Sequence, residues 1–309
     1  MRTPALSART ARDIDSQVAK VLRGLGNPGP PLDLRLARDL LSLDRAYYSS
    51  SDDSAARDNV SRMLVAGKQV LLRPALLIDA IRKLSLRALY LPDHRRILLD
   101  KDQPPLKHRW NEAHEIGHSI IPWHQGLMGD DRLTLRPTCH AQTENEANYA
   151  AGRLLFLGSH FIEEARSMYP RFEVVLQLAE RYGNTKTSTL WRYVAECFPD
   201  SPAVAMISGH PHPSRRKSDF DTSNPCKHFI TSPSFAQNFG GVTERILFSK
   251  IVGYCGAQRG GMLGSAEIVL MSEAGEAHSF VFETFYNGYE ALTAGIHVRK
   301  EPTVIAACS

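Results

Sequence analysis

The chain has 309 residues, of which 43% are hydrophobic and 23% are charged, and its formal net charge at pH 7 is +4. This length accommodates two or three compact units, and the composition excludes a disordered or fibrous protein. The net charge is too small to require a nucleic acid or an acidic protein as a partner.

The cysteines and the apolar runs bear on the cellular compartment. The five cysteines are scattered and include no Cys-x-x-Cys pair, which argues against a disulfide framework or a zinc finger. No apolar core follows the basic residues of segment 1–10, and no apolar run approaches the roughly 18 residues of a membrane span. We therefore expect a cytoplasmic protein with no secretory signal and no membrane partner.

Helices are predicted to dominate the first part of the chain. Apolar residues recur at helical spacing in four stretches, residues 14–22, 32–43, 58–66 and 74–84. Glycines and prolines between residues 24 and 31 end the first of these helices. Two short apolar segments, 86–91 and 96–100, flank turn-forming residues at 92–94 and predict a β-hairpin.

Helical patterns continue through the middle of the chain. Pro104 and Pro105 precede a helix that Pro122 ends, because proline is tolerated in a first helical turn but not in a helix interior. A short strand over 133–136 and a long helix over 143–167 are predicted next. Two further helices, 172–181 and 185–197, are joined at Gly183 and form a helix-turn-helix pattern.

The last third has a different composition. Residues 209–240 are rich in Pro, Ser, His and Asn and are typical of a loop or linker, so we expect a domain boundary near 200–240. Residues 246–298 are strand-like, with a hairpin around 273–276. The basic run 215–217 is interpreted as a solvated loop rather than a binding patch.

The most informative motif is His114-Glu115-Ile116-Gly117-His118. Two histidines four residues apart lie on one face of a helix, close enough to share one metal ion. Glu115 lies beside the first histidine, where its carboxylate can take a proton from an attacking water. The motif predicts His114 and His118 as metal ligands and Glu115 as the catalytic base of a hydrolase.

A third ligand is expected, because catalytic zinc sites use three protein ligands and keep one position open. Glu144 is the preferred candidate and Glu146 is its competitor, since the two lie about 200° apart around a helix and cannot both face the metal. Asn148, one turn after Glu144, is placed to hydrogen-bond a ligand histidine. This donor set suits Zn²⁺ best, and Mn²⁺ and Fe²⁺ are compatible with it.

Two neighbouring features add to this prediction. Gly117 costs about 1 kcal/mol relative to alanine inside a helix, which indicates close approach of another segment. The hairpin before the motif offers a strand edge that can hold an extended peptide by main-chain hydrogen bonds, which favours a peptide-bond substrate.

The chain resembles the ImmA/IrrE family of metallo-endopeptidases. The resemblance runs from the strand 96–100, through Trp110-Asn111-Glu112-Ala113, to Glu144-x-Glu146-Ala147-Asn148-x-Ala150-Ala151. The last segment is similar to the family's Glu-x-x-Ala-Asn-x-Phe-Ala signature, whose first glutamate is a metal ligand, and this carries over to Glu144. The family's phenylalanine is missing here.

The resemblance implies an α+β architecture. We expect a mostly helical, zincin-like peptidase domain with a small sheet at 10–168 and a helix-turn-helix unit at 169–200. A linker or loop at 201–240 and a β-rich, GAF-like sensor domain at 241–309 would follow, as in the IrrE branch. That branch cleaves a repressor of the XRE helix-turn-helix type and thereby controls the response to radiation and desiccation.

Three hypotheses follow for the function. The leading one is a site-specific zinc endopeptidase that cleaves an XRE-type repressor and derepresses genes for the stress or DNA-damage response. The alternative is a DNA-binding regulator without proteolysis, in which residues of the second helix contact DNA: Lys186, Thr187, Ser188, Thr189 and Arg192. The third is a sensor whose C-terminal domain binds a small molecule or a protein signal.

Overall fold

The computed structural model describes residues 6–48, 88–91, 95–124, 137–221 and 223–302. The chain divides into two compact units, Met1–His160 and Phe161–Ser309. The helices expected at 58–66 and 74–84, the turn at 92–94 and the strand at 133–136 lie outside the described residues. The domain limits expected from the sequence stay predictions.

The first unit combines helices with a three-stranded sheet. Its described helices are α1 (Ala8–Gly24), α2 (Leu34–Leu40), α3 (Pro105–Ile120) and α4 (Pro137–Leu155). Its described strands are β1 (Asp44–Tyr48), β2 (Ala88–Leu91) and β3 (Arg96–Asp100).

Helix α1 forms as its apolar spacing predicts. The Ser7 side chain caps it by accepting a hydrogen bond from the Thr10 backbone N–H at 3.0 Å. Four apolar residues at helical spacing within the predicted stretch 14–22 are buried: Ile14, Val18, Val21 and Leu22. This face packs in the first unit, where α1 contacts α4.

The sheet of the first unit has the order β1-β3-β2. Strand β2 pairs antiparallel with β3, which confirms the expected hairpin, and leaves β2 at an edge of the described sheet. Strand β1 pairs parallel with β3 and was not predicted from the sequence, where the helix expected over 32–43 ends directly before it. Residues 97–99 of the central β3 are almost fully buried, which shows that both faces of this strand are covered.

Helix α3 begins at Pro105 and ends at Ile120, within the predicted prolines. The helix expected over 143–167 is wrong as one element: it is divided into α4 and α5 (His160–Ser167). The chain turns between them through Leu157 and Gly158, which have φ values of 55° and 63°. Because left-handed backbone cannot continue a right-handed helix, α4 ends there despite the apolar pattern.

The second unit contains four more described helices and a five-stranded sheet. The helices are α6 (Phe172–Tyr182), α7 (Lys186–Cys197), α8 (Pro233–Asn238) and α9 (Glu244–Val252), with a short 3₁₀ turn at Pro213–Arg215. The strands are β4 (Ala203–Ser208), β5 (Cys226–Thr231), β6 (Gly261–Met271), β7 (Ala277–Tyr286) and β8 (Ala291–Lys300). They pair antiparallel in the order β5-β4-β8-β7-β6.

Two expectations for the second unit are wrong. Residues 201–240 are not only a linker, because they supply β4 and β5 to the sheet. All residues of β4 are buried, and an unbroken apolar run is what a strand between two others contains. The prediction of strands over 246–298 is also wrong at its start, where α9 follows its N-cap residue Thr243. The hairpin predicted at 273–276 is confirmed, because these residues link β6 and β7.

The core of the second unit lies between the sheet and its helices. Aromatic rings dominate it, and Phe235, Phe239 and Phe280 have centroids 5.0 to 5.8 Å apart. Helices and strands thus both contribute to this fold, and GAF-like ancestry stays a prediction. Within the described segments, no helix is both long enough and apolar enough to cross a membrane.

Candidate metal centre

Three side chains from two helices converge in the first unit. His114 and His118 lie one turn apart on α3, and Glu144 reaches them from α4. The two imidazole Nε2 atoms are 3.2 Å apart. Glu144 Oε2 lies 3.2 Å from Nε2 of His114, and Glu144 Oε1 lies 3.4 Å from Nε2 of His118.

These separations fit a tetrahedral metal ion. Ligand atoms at about 2.0–2.1 Å from a tetrahedral zinc ion are separated from each other by about 3.3 Å. All three separations are close to that value, and two nitrogens with one oxygen form a donor set that zinc accepts. His114, His118 and Glu144 therefore form a candidate metal site.

Hydrogen bonds on the far side of each imidazole orient its Nε2 toward this site. His114 Nδ1 lies 3.1 Å from Asn148 Oδ1, which is only an acceptor, so Nδ1 carries the proton and Nε2 offers a lone pair. The structure thus places Asn148 where the sequence predicted it. Such a contact fixes both the tautomer and the ring orientation of a ligand histidine.

His118 is oriented by a longer chain of buried groups. Its Nδ1 lies 3.0 Å from Nδ1 of His124, and His124 Nε2 lies 2.9 Å from Glu146 Oε2. Because a carboxylate only accepts, His124 donates from Nε2 and accepts at Nδ1 from His118. The lone pair of His118 is then at Nε2, facing His114 and Glu144.

Glu146, the competitor for the third ligand position, anchors this chain instead of facing the histidine pair. Trp123 Nε1 donates to its Oε2 at 2.6 Å, and Gln142 Nε2 donates to its Oε1 at 2.9 Å. Burial alone would raise the pKa of Glu146, but these donors and His124 lower it. Burial lowers the pKa of His124 to about 4, so this imidazole is neutral near pH 7.

The sequence indicated only an ordinary loop histidine at His124, or a group that stabilises an oxyanion, and not a partner for a ligand histidine. His124 lies six residues after His118 and beyond Pro122, where a histidine has no helical register with the motif. The sequence signal that could have revealed its role is the pair Trp123-His124 just after the motif. Glu146, two residues after the preferred ligand Glu144, supplies the carboxylate for that pair.

Glu115, next to His114 on α3, is buried, with 4% of its surface exposed. Burial raises the pKa of its carboxyl to about 7, and the Glu144 charge also raises it. His114 and a hydrogen bond from the backbone N–H of Tyr90 act in the opposite direction. A carboxyl group with this pKa can accept and return a proton near neutral pH.

Electrostatics favour a carboxylate beside the histidine pair. Burial opposes the charge of Glu144, but hydrogen bonds from His114 and His118 in their protonated forms hold its pKa well below the usual range. Burial likewise opposes protonation of His114, yet Glu144 and the Glu115 charge raise the pKa of this imidazole. The carboxylate of Glu144 is thus ionised, as a metal ligand must be.

Close packing of α3 on α4 brings these groups together. A Cβ on Gly117 would lie 2.8 Å from the carbonyl oxygen of Ala147 and 3.3 Å from Cβ of Ala150. Glycine is therefore required where α3 crosses α4, between the two sets of ligands. This is the close approach that a glycine inside the motif helix indicated.

Two histidines and a glutamate on paired helices, next to a small sheet, form a ligand set of the kind that metallopeptidases use. Residues 78–192 match the Peptidase_M78 family, described as an IrrE N-terminal-like domain. This match supports the ImmA/IrrE family and, with the His-His-Glu site, a metallopeptidase.

Solved structures show a similar fold. A Mycobacterium tuberculosis transcriptional regulator aligns with a TM-score of 0.51 at 14% identity, covering 94% of this chain and 77% of that one. At this identity the likeness concerns the fold alone. The search of curated proteins found no match.

Proposed function

We propose that the protein is a site-specific zinc endopeptidase that cleaves an XRE-type transcriptional repressor and so derepresses genes of a stress or DNA-damage response. The observation that carries the peptidase proposal is the convergence of His114, His118 and Glu144, with ligand atoms within 4.8 Å of one another, beside the buried Glu115. The repressor as substrate rests on the resemblance to the IrrE branch.

The proposed roles follow from the geometry. His114, His118 and Glu144 would hold the ion, which as a Lewis acid supplies polarisation of the scissile carbonyl and a lower pKa for the attacking water. Glu115 takes the proton of that water as its oxygen attacks the carbonyl carbon. Glu115 then delivers the proton to the leaving amine nitrogen as the C–N bond breaks. Asn148 and His124 keep the imidazoles in the ligating tautomer.

An edge strand near the site supports a peptide substrate. Strand β2 lies at the edge of the described sheet, and its Tyr90 backbone N–H donates to Glu115. An extended peptide that pairs with this edge would run beside the catalytic carboxyl. Peptide bonds are therefore preferred to small esters as substrates.

The decisive experiment compares Glu115→Gln with the wild-type protein. Both are loaded with zinc and incubated with a purified XRE-type repressor encoded beside this gene, and the products are identified by mass spectrometry. We expect one specific cut by the wild type and a loss of at least about 100-fold in rate for the variant, because a general base contributes that much or more. Equal zinc content in the two proteins is the control. Unchanged cleavage by Glu115→Gln would refute the mechanism.

The alternative function, sequence-specific DNA binding by α6 and α7, has weaker structural support. The two helices are joined at Gly183, whose φ of 63° makes the turn. Yet Thr189 is fully buried and Arg192 is buried in a salt bridge with Glu196, so neither side chain is displayed for a base edge. A gel-shift assay at physiological salt with promoter and random DNA tests this alternative, and equal affinity for both would remove it.

A further inference from the structure

A basic pocket lies at one end of the sheet in the second unit. Its volume is about 400 Å³, and its lining includes six residues that we call the basic pocket: His210, Ser214, Arg215, Arg216, Arg259 and Tyr286. They come from the loop after β4, from the loop before β6 and from the end of β7. Arg215 and Arg216 of the run 215–217 therefore line a concavity, although the sequence alone suggested only a solvated loop.

The positive charge of this pocket is not paired within its own lining; Asp219, Asp221 and Glu290 line the adjoining cavity, which shares Arg215. Three guanidinium groups line it, and no carboxylate does. In the part of the chain that the structure describes, Arg215, Arg216 and Arg259 have no acidic partner within salt-bridge distance, although many other surface arginines do. Three like charges around one cavity repel each other, and a bound anion would relieve that repulsion.

Local contacts hold the cationic groups in place. Arg215 Nε donates to the Ala257 carbonyl oxygen at 2.8 Å, which leaves its terminal nitrogens for another acceptor. Arg216 donates to the Pro211 carbonyl at 2.8 Å, and its guanidinium carbon lies 5.1 Å from the centroid of the Phe220 ring. The Nε atom of Arg216 is buried with no hydrogen-bond partner in the described structure.

A histidine completes the wall of the pocket. His210 is 4% exposed, and its Nδ1 accepts from the His212 backbone N–H at 3.1 Å. Its Nε2 therefore donates to the Gln258 carbonyl at 2.9 Å, which ties the two loops of the pocket together. The Tyr286 ring lies against the imidazole, with centroids 4.7 Å apart. The arginines therefore lie on two loops that hydrogen bonds hold together, rather than on a free loop.

We propose that the basic pocket binds a small molecule carrying a phosphate group. Planar guanidinium groups match phosphate oxygens in pairs, and three of them can surround one phosphate. A volume of about 400 Å³ suits a phosphorylated metabolite of roughly sugar-phosphate size. The tyrosine and histidine rings offer an apolar wall to the organic part. All lining residues belong to the second unit, so a binding test of this pocket does not rest on the proposed peptidase activity.

The test uses the full chain and a matched pair of probes. Ribose 5-phosphate and ribose are titrated into the protein by calorimetry at low ionic strength, and they differ only in the phosphate. The variant R215Q/R259Q removes two pocket charges, and R245Q/K250Q removes two exposed charges from α9, outside the pocket. Expected is binding of ribose 5-phosphate but not of ribose, weakened at least about tenfold by R215Q/R259Q and less than about twofold by R245Q/K250Q.

Three results would overturn the proposal. The first is no heat of binding for ribose 5-phosphate or for pyrophosphate with the wild-type protein. The second is equal weakening by the pocket and control variants, which would show that general surface charge is responsible. The third is binding of a short DNA duplex that depends on Arg215 and Arg259 and displaces ribose 5-phosphate. That result would assign the basic pocket to nucleic acid. Circular dichroism of each variant excludes misfolding as the cause of a loss.

Discussion

The α-carbon of Gly117 faces the backbone carbonyl of Ala147 so closely that any Cβ at residue 117 would lie 2.8 Å from the carbonyl oxygen. The obstacle is backbone, so it cannot rotate away as a flexible side chain would. This contact sets the distance between the histidine-bearing α3 and the glutamate-bearing α4. The ligand set depends on it.

We therefore expect Gly117→Ala to destabilise the first unit. Forcing the helices apart costs about 1–3 kcal/mol, and the better helix propensity of alanine offsets about 1 kcal/mol of that. The net loss in free energy of unfolding, from urea titration, should reach up to about 2 kcal/mol, with weaker zinc binding. Gly29→Ala is the control, because a Cβ there meets nothing within 4 Å. A Gly117→Ala protein as stable as the control would contradict the packing argument.

The buried chain from His118 through His124 to Glu146 should govern metal affinity. His124→Phe removes the acceptor for His118 Nδ1, and Glu146→Gln removes the charge that holds His124. Each change should weaken zinc binding about 10–100-fold, the usual effect of losing a partner of a ligand histidine. Competition with a chromophoric chelator measures this directly. Asp39→Asn, an exposed carboxylate elsewhere in the first unit, should leave the affinity unchanged. Zinc affinity equal to wild type in both site variants would show that the chain is only structural.

A second buried network supports α3 from its other side. Glu112 accepts from Arg38 Nε at 2.6 Å and from Arg45 Nη1 at 3.0 Å, and its side chain is 7% exposed. Replacing Glu112 by Gln leaves the buried Arg38 without its counter-charge, which should cost about 3–5 kcal/mol of unfolding free energy.

The matched control for that network is the surface pair of Asp44 and Arg96. The Asp44 side chain is 57% exposed, so Asp44→Asn should cost at most about 1 kcal/mol. Urea unfolding of both variants gives the comparison. Similar losses for Glu112→Gln and Asp44→Asn would show that burial of the network contributes little.

Cys197, Cys226 and Cys255 should be unreactive in the folded protein. Burial raises the thiol pKa of Cys197 and of Cys226 to about 12 each, and it also raises that of Cys255. A raised thiol pKa leaves little thiolate at pH 8, and thiolate is the reacting species. In a C139S/C308S background, DTNB should therefore react slowly with all three until denaturant is added. Reaction at the rate of a free cysteine before unfolding would contradict this.

Local pattern was sufficient for elements that bury one face. The spacing in α1 and the two helices around Gly183 predicted buried faces that the structure contains, because helical periodicity depends only on neighbours three and four residues away. The hairpin of β2 and β3 was predictable because it too depends on neighbours in sequence, two short apolar segments on either side of turn-forming residues. Prediction from local pattern failed for β4, which is buried on both faces. It also failed where Leu157, with its left-handed backbone, interrupts an apolar helical pattern.

For the candidate site, the sequence by itself determined the pairing of His114 with His118 and the placement of Glu115, since one turn of helix brings these groups together wherever the helix lies. Only the tertiary structure decided that Glu144 faces the histidines while Glu146 anchors His124. Both glutamates lie on α4, and its rotation about its own axis depends on how it packs against α3 at Gly117. Likewise, Arg259 is distant in sequence from Arg215 and Arg216, and only the folding of two loops around His210 brings their charges to one cavity.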